Sequence, residues 1–223
     1  MTVSAPSRPE LDERGRTAAP RVLGGLFLAG FLCYGTGFAL VTSVVGEPGF
    51  LPSVGAHRTT LTVGAFLMLL NVFIDIGKGV LFFPILDRRG RRTALAYLTM
   101  MSAQAVLLGL GVFFLLMVVP LHDRGADPMF GELALDANNL VYQIGELLLG
   151  VAGVALCALL LRHRLIPRYL AWWGAAGYVL FACGTVAELF GVHAGLALSI
   201  PGGLFEVALG IWLLSRSARR PFA

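Results

Sequence analysis

Six apolar stretches, each long enough to cross a bilayer, leave this chain one solvent in which to fold. A spanning helix needs about 20 apolar residues, and residues 22–45, 60–86, 93–119, 139–161, 169–190 and 194–214 all qualify. Inside hydrocarbon each backbone N–H and C=O must be satisfied within its own segment, so each stretch is expected to be helical. The expected fold is all-α: a polytopic bundle of six transmembrane helices over residues 22–215. A disordered leader, 1–21, with Pro6, Pro9 and Pro20 among mixed charges, should precede it, and a basic tail, 216–223, should follow. The first stretch is too long, and its leader too polar, for a cleaved secretory signal. Composition agrees: 13% of residues are charged, against about 25% in soluble domains, and the mean hydropathy is +0.80.

Arginine placement orients the bundle. Arg8, Arg14, Arg16 and Arg21 lie before the first span, Arg88, Arg89, Arg91 and Arg92 between the second and third, Arg162, Arg164 and Arg168 between the fourth and fifth, and Arg216, Arg219 and Arg220 after the sixth. The alternate connections hold only Arg58 and Arg124. Positive residues stay on the cytoplasmic side, so both termini are expected there. The third connection, with Asp123, Asp127, Glu132 and Asp136, is expected outside. Tyr169, Trp172, Trp173 and Trp212 fall at the inner interface. The arginine clusters suit anionic headgroups. No basic surface with interleaved aromatics appears, so nucleic acid is not an expected partner.

Lys78, the only lysine, stands inside the second span, and Asp75, Glu146, Glu188 and Glu206 interrupt others. A charge at membrane depth costs roughly 2.5–3.5 kcal/mol on insertion scales, so these residues are the candidate site. Asn71, Asp75 and Lys78 are spaced i, i+4, i+7, within about 60° on a helix. Gln143 and Glu146 share a face, as do Tyr97 and Gln104, and as do Tyr178, Phe181, Thr185 and Glu188. Glu206 lies between Gly202 and Gly210, where a neighbouring backbone could approach. Pro201 should bend that helix. Such stripes point inward, because lipid cannot satisfy them, and they predict a cavity from the midplane toward the outer face. Phe73, Phe82, Tyr97, Tyr142, Tyr178, Phe181 and Phe205 are candidate walls. A structural reading stands beside this one: Asp75 and Lys78 could simply neutralise each other, Glu206 could bond a neighbouring backbone, and Glu188, near a helix end, could be a solvated interfacial residue.

Cys33, Cys157 and Cys183 fall in apolar spans without metal-ligand spacing and read as packing residues. His57, His122, His163 and His193 fall in connections and read as solvated. Neither a metal nor a cofactor is expected. No Walker A, H-E-x-x-H or G-x-S-x-G motif is present.

Arg164-Leu-Ile-Pro167-Arg168, followed by a glycine-bearing helix with Tyr178, resembles the entry to the fifth helix of the DUF4386 family. Pro201-Gly-Gly-Leu-Phe-Glu206, running on to Trp212-Leu-Leu, resembles that family's final helix, and Asp75 is similar in place to an aspartate in its second. The resemblance spans 22–215 and is concentrated in 160–215. It implies a small six-helix protein of a bacterial cytoplasmic membrane and supplies no mechanism. Lys78 and Glu146 depart from the family pattern.

The leading expectation is an intramembrane enzyme acting on a lipophilic, isoprenoid-like substrate by acid–base cyclisation or isomerisation, similar in kind to small membrane-bound terpene cyclases. An acid in a dry pocket is a competent proton donor, and aromatic walls stabilise developing cations. Glu206 or Asp75 is the expected donor, Glu146 the closing base and Lys78 the counter-ion of one carboxylate. Lys78, Asn71, Gln104, Gln143, Tyr97, Tyr142, Tyr178, Phe181, Phe205 and Glu188 are expected substrate contacts. The bilayer and a small lipophile are the expected partners. The first rival is a proton-coupled transporter, which six short helices would support only as a homodimer. The second is an accessory membrane protein with the polar faces as a seam.

Overall fold

The computed structural model describes residues 8–216, with side chains from Ala19 to Ser215. Among these residues the long elements are all helices: α1 (Arg8–Val45), α2 (Arg58–Asp123), α3 (Pro128–Arg162), α4 (Arg168–Leu189) and α5 (Gly195–Arg216). A single 3₁₀ turn, Leu51–Ser53, lies between α1 and α2. The five helices are each long and apolar enough to cross a membrane.

The 66 residues of α2 would measure about 100 Å if straight. Its backbone leaves helical geometry at Gly90 (φ 179°, ψ 78°), and its two ends meet, with Arg58 Nη1 3.1 Å from Asp123 Oδ2. It is therefore folded into two antiparallel arms, 58–89 and 91–123. The break falls where the sequence favours it. Glycine is a weak helix former, and the arginines flanking Gly90 are costly at membrane depth.

Two boundaries differ from expectation. Residues 8–21 continue α1 rather than forming a disordered leader. Glu10, Leu11, Glu13, Arg14 and Arg16 are straight-chain residues that lose little freedom in a helix, and they outweigh the composition signal. Residues 1–7, and the tail beyond Arg216, lie outside the described residues. The third connection is only 124–127. Asp127 accepts a hydrogen bond from Met129 N (2.9 Å), and Pro128 opens α3. This cap-plus-proline start puts Glu132 and Asp136 on α3 rather than in a loop. His122 is not solvated: it is half-buried in the last turn of α2, with Nδ1 2.9 Å from Leu51 O.

Glycines set two of the closest helix contacts. A Cβ on Gly24 of α1 would lie 2.7 Å from Gly210 O of α5. One on Gly177 of α4 would lie 3.0 Å from Gly202 N of α5. Both contacts are backbone against backbone, as small residues permit in lipid, and they hold α5 between α1 and α4. The largest buried cluster, including Phe27, Phe82, Met101, Leu156 and Phe205, fills one half of the bundle. Leu32, Phe66, Phe73 and Val106 are exposed, as side chains facing lipid should be, so Phe73 is not a cavity wall.

Glu188 belongs to this framework. Its Oε1 accepts from Gly195 N (2.8 Å), the first amide of α5, and its Oε2 lies 3.4 Å from His193 Nδ1. A carboxylate there satisfies an orphan amide and complements the helix dipole. It holds the α4–α5 turn and lies outside the cavity lining. Glu188→Ala is expected to cost about 1 kcal/mol, read as a lower unfolding temperature in detergent with the pocket's binding properties unchanged.

Candidate functional site

The first arm of α2 carries the anchor. Lys78 Nζ lies 2.7 Å from Asp75 Oδ1, one helical turn away, with both side chains buried. The other carboxylate oxygen, Oδ2, accepts from Asn71 Nδ2 on the same arm (3.0 Å) and from Gln104 Nε2 on the second arm (3.4 Å). Asp75 therefore has partners on both oxygens. The i, i+4, i+7 stripe puts these three side chains on one face, and the fold-back at Gly90 brings Gln104 opposite.

Lys78 reaches further. Its Nζ is 3.6 Å from Glu206 Oε2 on α5 and 4.9 Å from the centre of the Phe27 ring on α1, a cation–π contact. Glu206 Oε1 accepts from Tyr178 Oη on α4 (2.9 Å). The Tyr178 ring stands edge-on to Phe205 and lies against Gly153 of α3, where a Cβ would collide with it. One ammonium thus ties the first arm of α2 to α5, and through Glu206 to α4. Gly30 of α1 permits this, since a Cβ there would lie 2.9 Å from Asn71 Oδ1 and 3.4 Å from Lys78 Nζ.

These groups line a cavity of about 200 Å³. Of the residues expected at the site, Asn71, Asp75, Lys78, Gln104, Tyr142, Glu146, Tyr178, Phe181 and Glu206 all line it. Glu146 is buried on α3 and lines the cavity with Gln104. Among the described residues no cation pairs with it. The wall therefore holds three carboxyl groups and one ammonium.

Four expected contacts are elsewhere. Tyr97 is buried edge-on to Phe82 and Phe205 is fully buried, both in the apolar core behind the cavity; each shares its helix with a cavity residue but is rotated toward the core. Gln143 is half-buried on α3 outside the lining, although it is only one turn from Glu146. Glu188 caps α5, as above. Sequence reasoning missed the contribution of α1. Gly30, Phe31, Tyr34 and Gly35 line the cavity, and Tyr34 stacks on Tyr142 with ring centres 6.1 Å apart. The first span carries no charge, so no polar stripe marks its inner face. The spacing of Gly30, Tyr34 and Gly37, i, i+4, i+7, is the one sign of it.

With three acids around one base, the cavity can hold an ionised pair beside a further acid, and so present a proton donor and a proton acceptor to one ligand. Among the described residues no group of three or more His, Cys, Asp or Glu is arranged to hold a metal. The family model described as Domain of unknown function (DUF4386) matches residues 22–217. No curated protein and no solved structure matches the chain.

Proposed function

The chain belongs to the DUF4386 family, and on that premise we propose that it is an intramembrane acid–base catalyst acting on one end of a lipophilic, isoprenoid-like substrate. The reading takes the bundle as six crossings, each arm of α2 counting as one, with both termini cytoplasmic. Two features support this: the fold-back at Gly90 among four arginines, and the excess of arginine on alternate connections.

The observation that carries the proposal is the unequal distribution of partners among three acids in one cavity. Asp75 is bonded through both oxygens and serves as the counter-ion that keeps Lys78 in place. Glu206 faces Lys78 and accepts from Tyr178, while its side chain keeps 17% exposure. That is the geometry of a carboxylate base. Glu146 lines the same cavity without a cation. This favours Glu146 as donor and Glu206 as acceptor, exchanging the roles that the sequence alone suggests for them.

In the proposed reaction the Glu146 carboxyl gives its proton to a substrate double bond. The resulting carbocation is stabilised by the stacked faces of Tyr34 and Tyr142 and loses a different proton to Glu206. Return of that proton to Glu146 restores the site, so substrate and product are isomers and no oxidant or cofactor enters the balance. The purified protein, given a panel of polyprenyl alcohols and polyenes in detergent, is expected to yield products of unchanged mass and altered chromatographic retention. Unaltered substrates throughout, together with pH-gradient-driven flux of a small molecule into sealed liposomes, would replace this reading with transport. One feature favours that second reading: Lys78 faces acids on two helices, at 2.7 and 3.6 Å, and a shared cation of this kind can exchange partners as helices move.

A further inference from the structure

The cavity is not closed on every side. Its deep wall, including Asp75, Lys78, Gln104 and Glu146, is buried. Two lining residues of α1 are not: Phe31 is 51% exposed, and Gly35 is exposed. Opposite them on α5, Ser199 and Gly203 are half-buried. The helices are locked together further along, where Gly24 meets Gly210 and a Cβ on Gly210 would touch Phe27. From that lock they diverge. At Gly203 the nearest neighbour is the Phe31 ring edge, 3.7 Å from where a Cβ would stand, with no backbone within 4 Å. Around this gap Leu32, Ile200 and Leu204 are exposed. The mouth therefore lies midway along apolar helices and opens onto lipid rather than water.

The wall also favours one kind of head. Three carboxyl groups share the lining with one ammonium, and Glu206, whose side chain keeps 17% exposure, presents a carboxylate acceptor to the space. A ligand N–H or O–H can donate to that carboxylate, whereas an ether oxygen cannot. A volume of about 200 Å³ suits a head and a few carbons, since a cavity of roughly 150 Å³ holds benzene. A longer chain must leave through the mouth.

We propose that the cavity receives, sideways from the bilayer between α1 and α5 and past Phe31, the N–H- or O–H-bearing head of a single-chain lipophile whose tail stays in the membrane. This deepens the proposed function by naming the substrate class and its route, but binding is independent of turnover.

The test is photolabelling of the protein in lipid nanodiscs by three probes with a diazirine on the chain next to the head: dodecanol, dodecylamine and dodecyl methyl ether. Labelled positions are mapped by mass spectrometry. The alcohol, the amine or both are expected to label the cavity and its α1–α5 rim, and the stronger of the two identifies the charge of the head. The ether, which has no donor, should label them roughly tenfold less. Gly203→Phe, at a position where a Cβ would meet only Phe31 within 4 Å, should abolish the cavity adducts, and Phe31→Ala should increase them. Equal labelling by the ether, or cavity adducts unchanged in Gly203→Phe, would overturn the proposal. Lipid-exposed adducts on Phe66, which lies outside the cavity lining, serve as the internal measure of folding and dose. Cavity labelling without any isomerised product would leave this inference standing and remove the acid–base reading instead.

Discussion

Lys78→Met is expected to lower the stability of the detergent-solubilised protein by about 3–5 kcal/mol, the range found when one partner of a buried ion pair is removed. The loss is large because the ammonium serves two acids. Asp75 at 2.7 Å and Glu206 at 3.6 Å would share one buried wall with nothing to offset their charge. Asn71, Gln104 and Tyr178 would still donate to them, but neutral donors do not balance two negative groups in a low-dielectric interior. Methionine keeps most of the volume and the contact with Phe27, so lost packing is a small part of the effect. Chemical denaturation should show the lower midpoint, and Asp75→Asn introduced into Lys78→Met should recover part of it by removing one of the stranded charges. A Lys78→Met protein as stable as the parent would mean that the three charges do not meet.

Glu146→Gln is expected to reduce isomerisation of the best polyprenyl substrate by about 10²–10⁴-fold, the usual contribution of a positioned general acid. The fold should remain intact. Glutamine matches glutamate in shape, and Glu146 has no ion pair to lose among the described residues. Glu206→Gln should lower both turnover and stability, because Glu206 is held by Lys78 and Tyr178. The pair of variants therefore separates the donor from the acceptor: one loses rate alone, the other loses rate and unfolds more readily. Full turnover in Glu146→Gln would exclude it as the donor and return that role to Glu206.

Helical class and membrane habitat are legible in the apolar runs alone, because hydrocarbon leaves a backbone almost no other choice. The pocket is legible wherever a helix carries charge or amide groups at helical spacing. Asn71, Asp75 and Lys78 are the clearest case, and Gln104, Glu146, Tyr178 and Glu206 follow from the cost of burying them elsewhere. The rest is hidden for physical reasons. Tyr97 and Phe205 are amphipathic or apolar rings that pack equally well in a cavity wall or in the core behind it, and only the rotation of each helix decides. Glu188 has the same composition signal as Glu146, yet a free helix amide happens to lie within its reach. The α1 wall carries no ionisable group, so its part in the site emerges only from tertiary packing. The helical start at Arg8 follows from local propensity that the charge and proline content of the leader conceals.

The central claim is that ionisable groups far apart in the chain converge on one secluded pocket. A double-mutant cycle between Lys78→Met and Glu206→Gln, read as unfolding free energy in detergent, tests it most directly, because these residues lie on α2 and α5 and share no local structure. Residues in one network couple by about 0.5–3 kcal/mol, and the account predicts a coupling of at least about 1 kcal/mol, with the double variant less destabilised than the sum of the single ones. Strict additivity would contradict it.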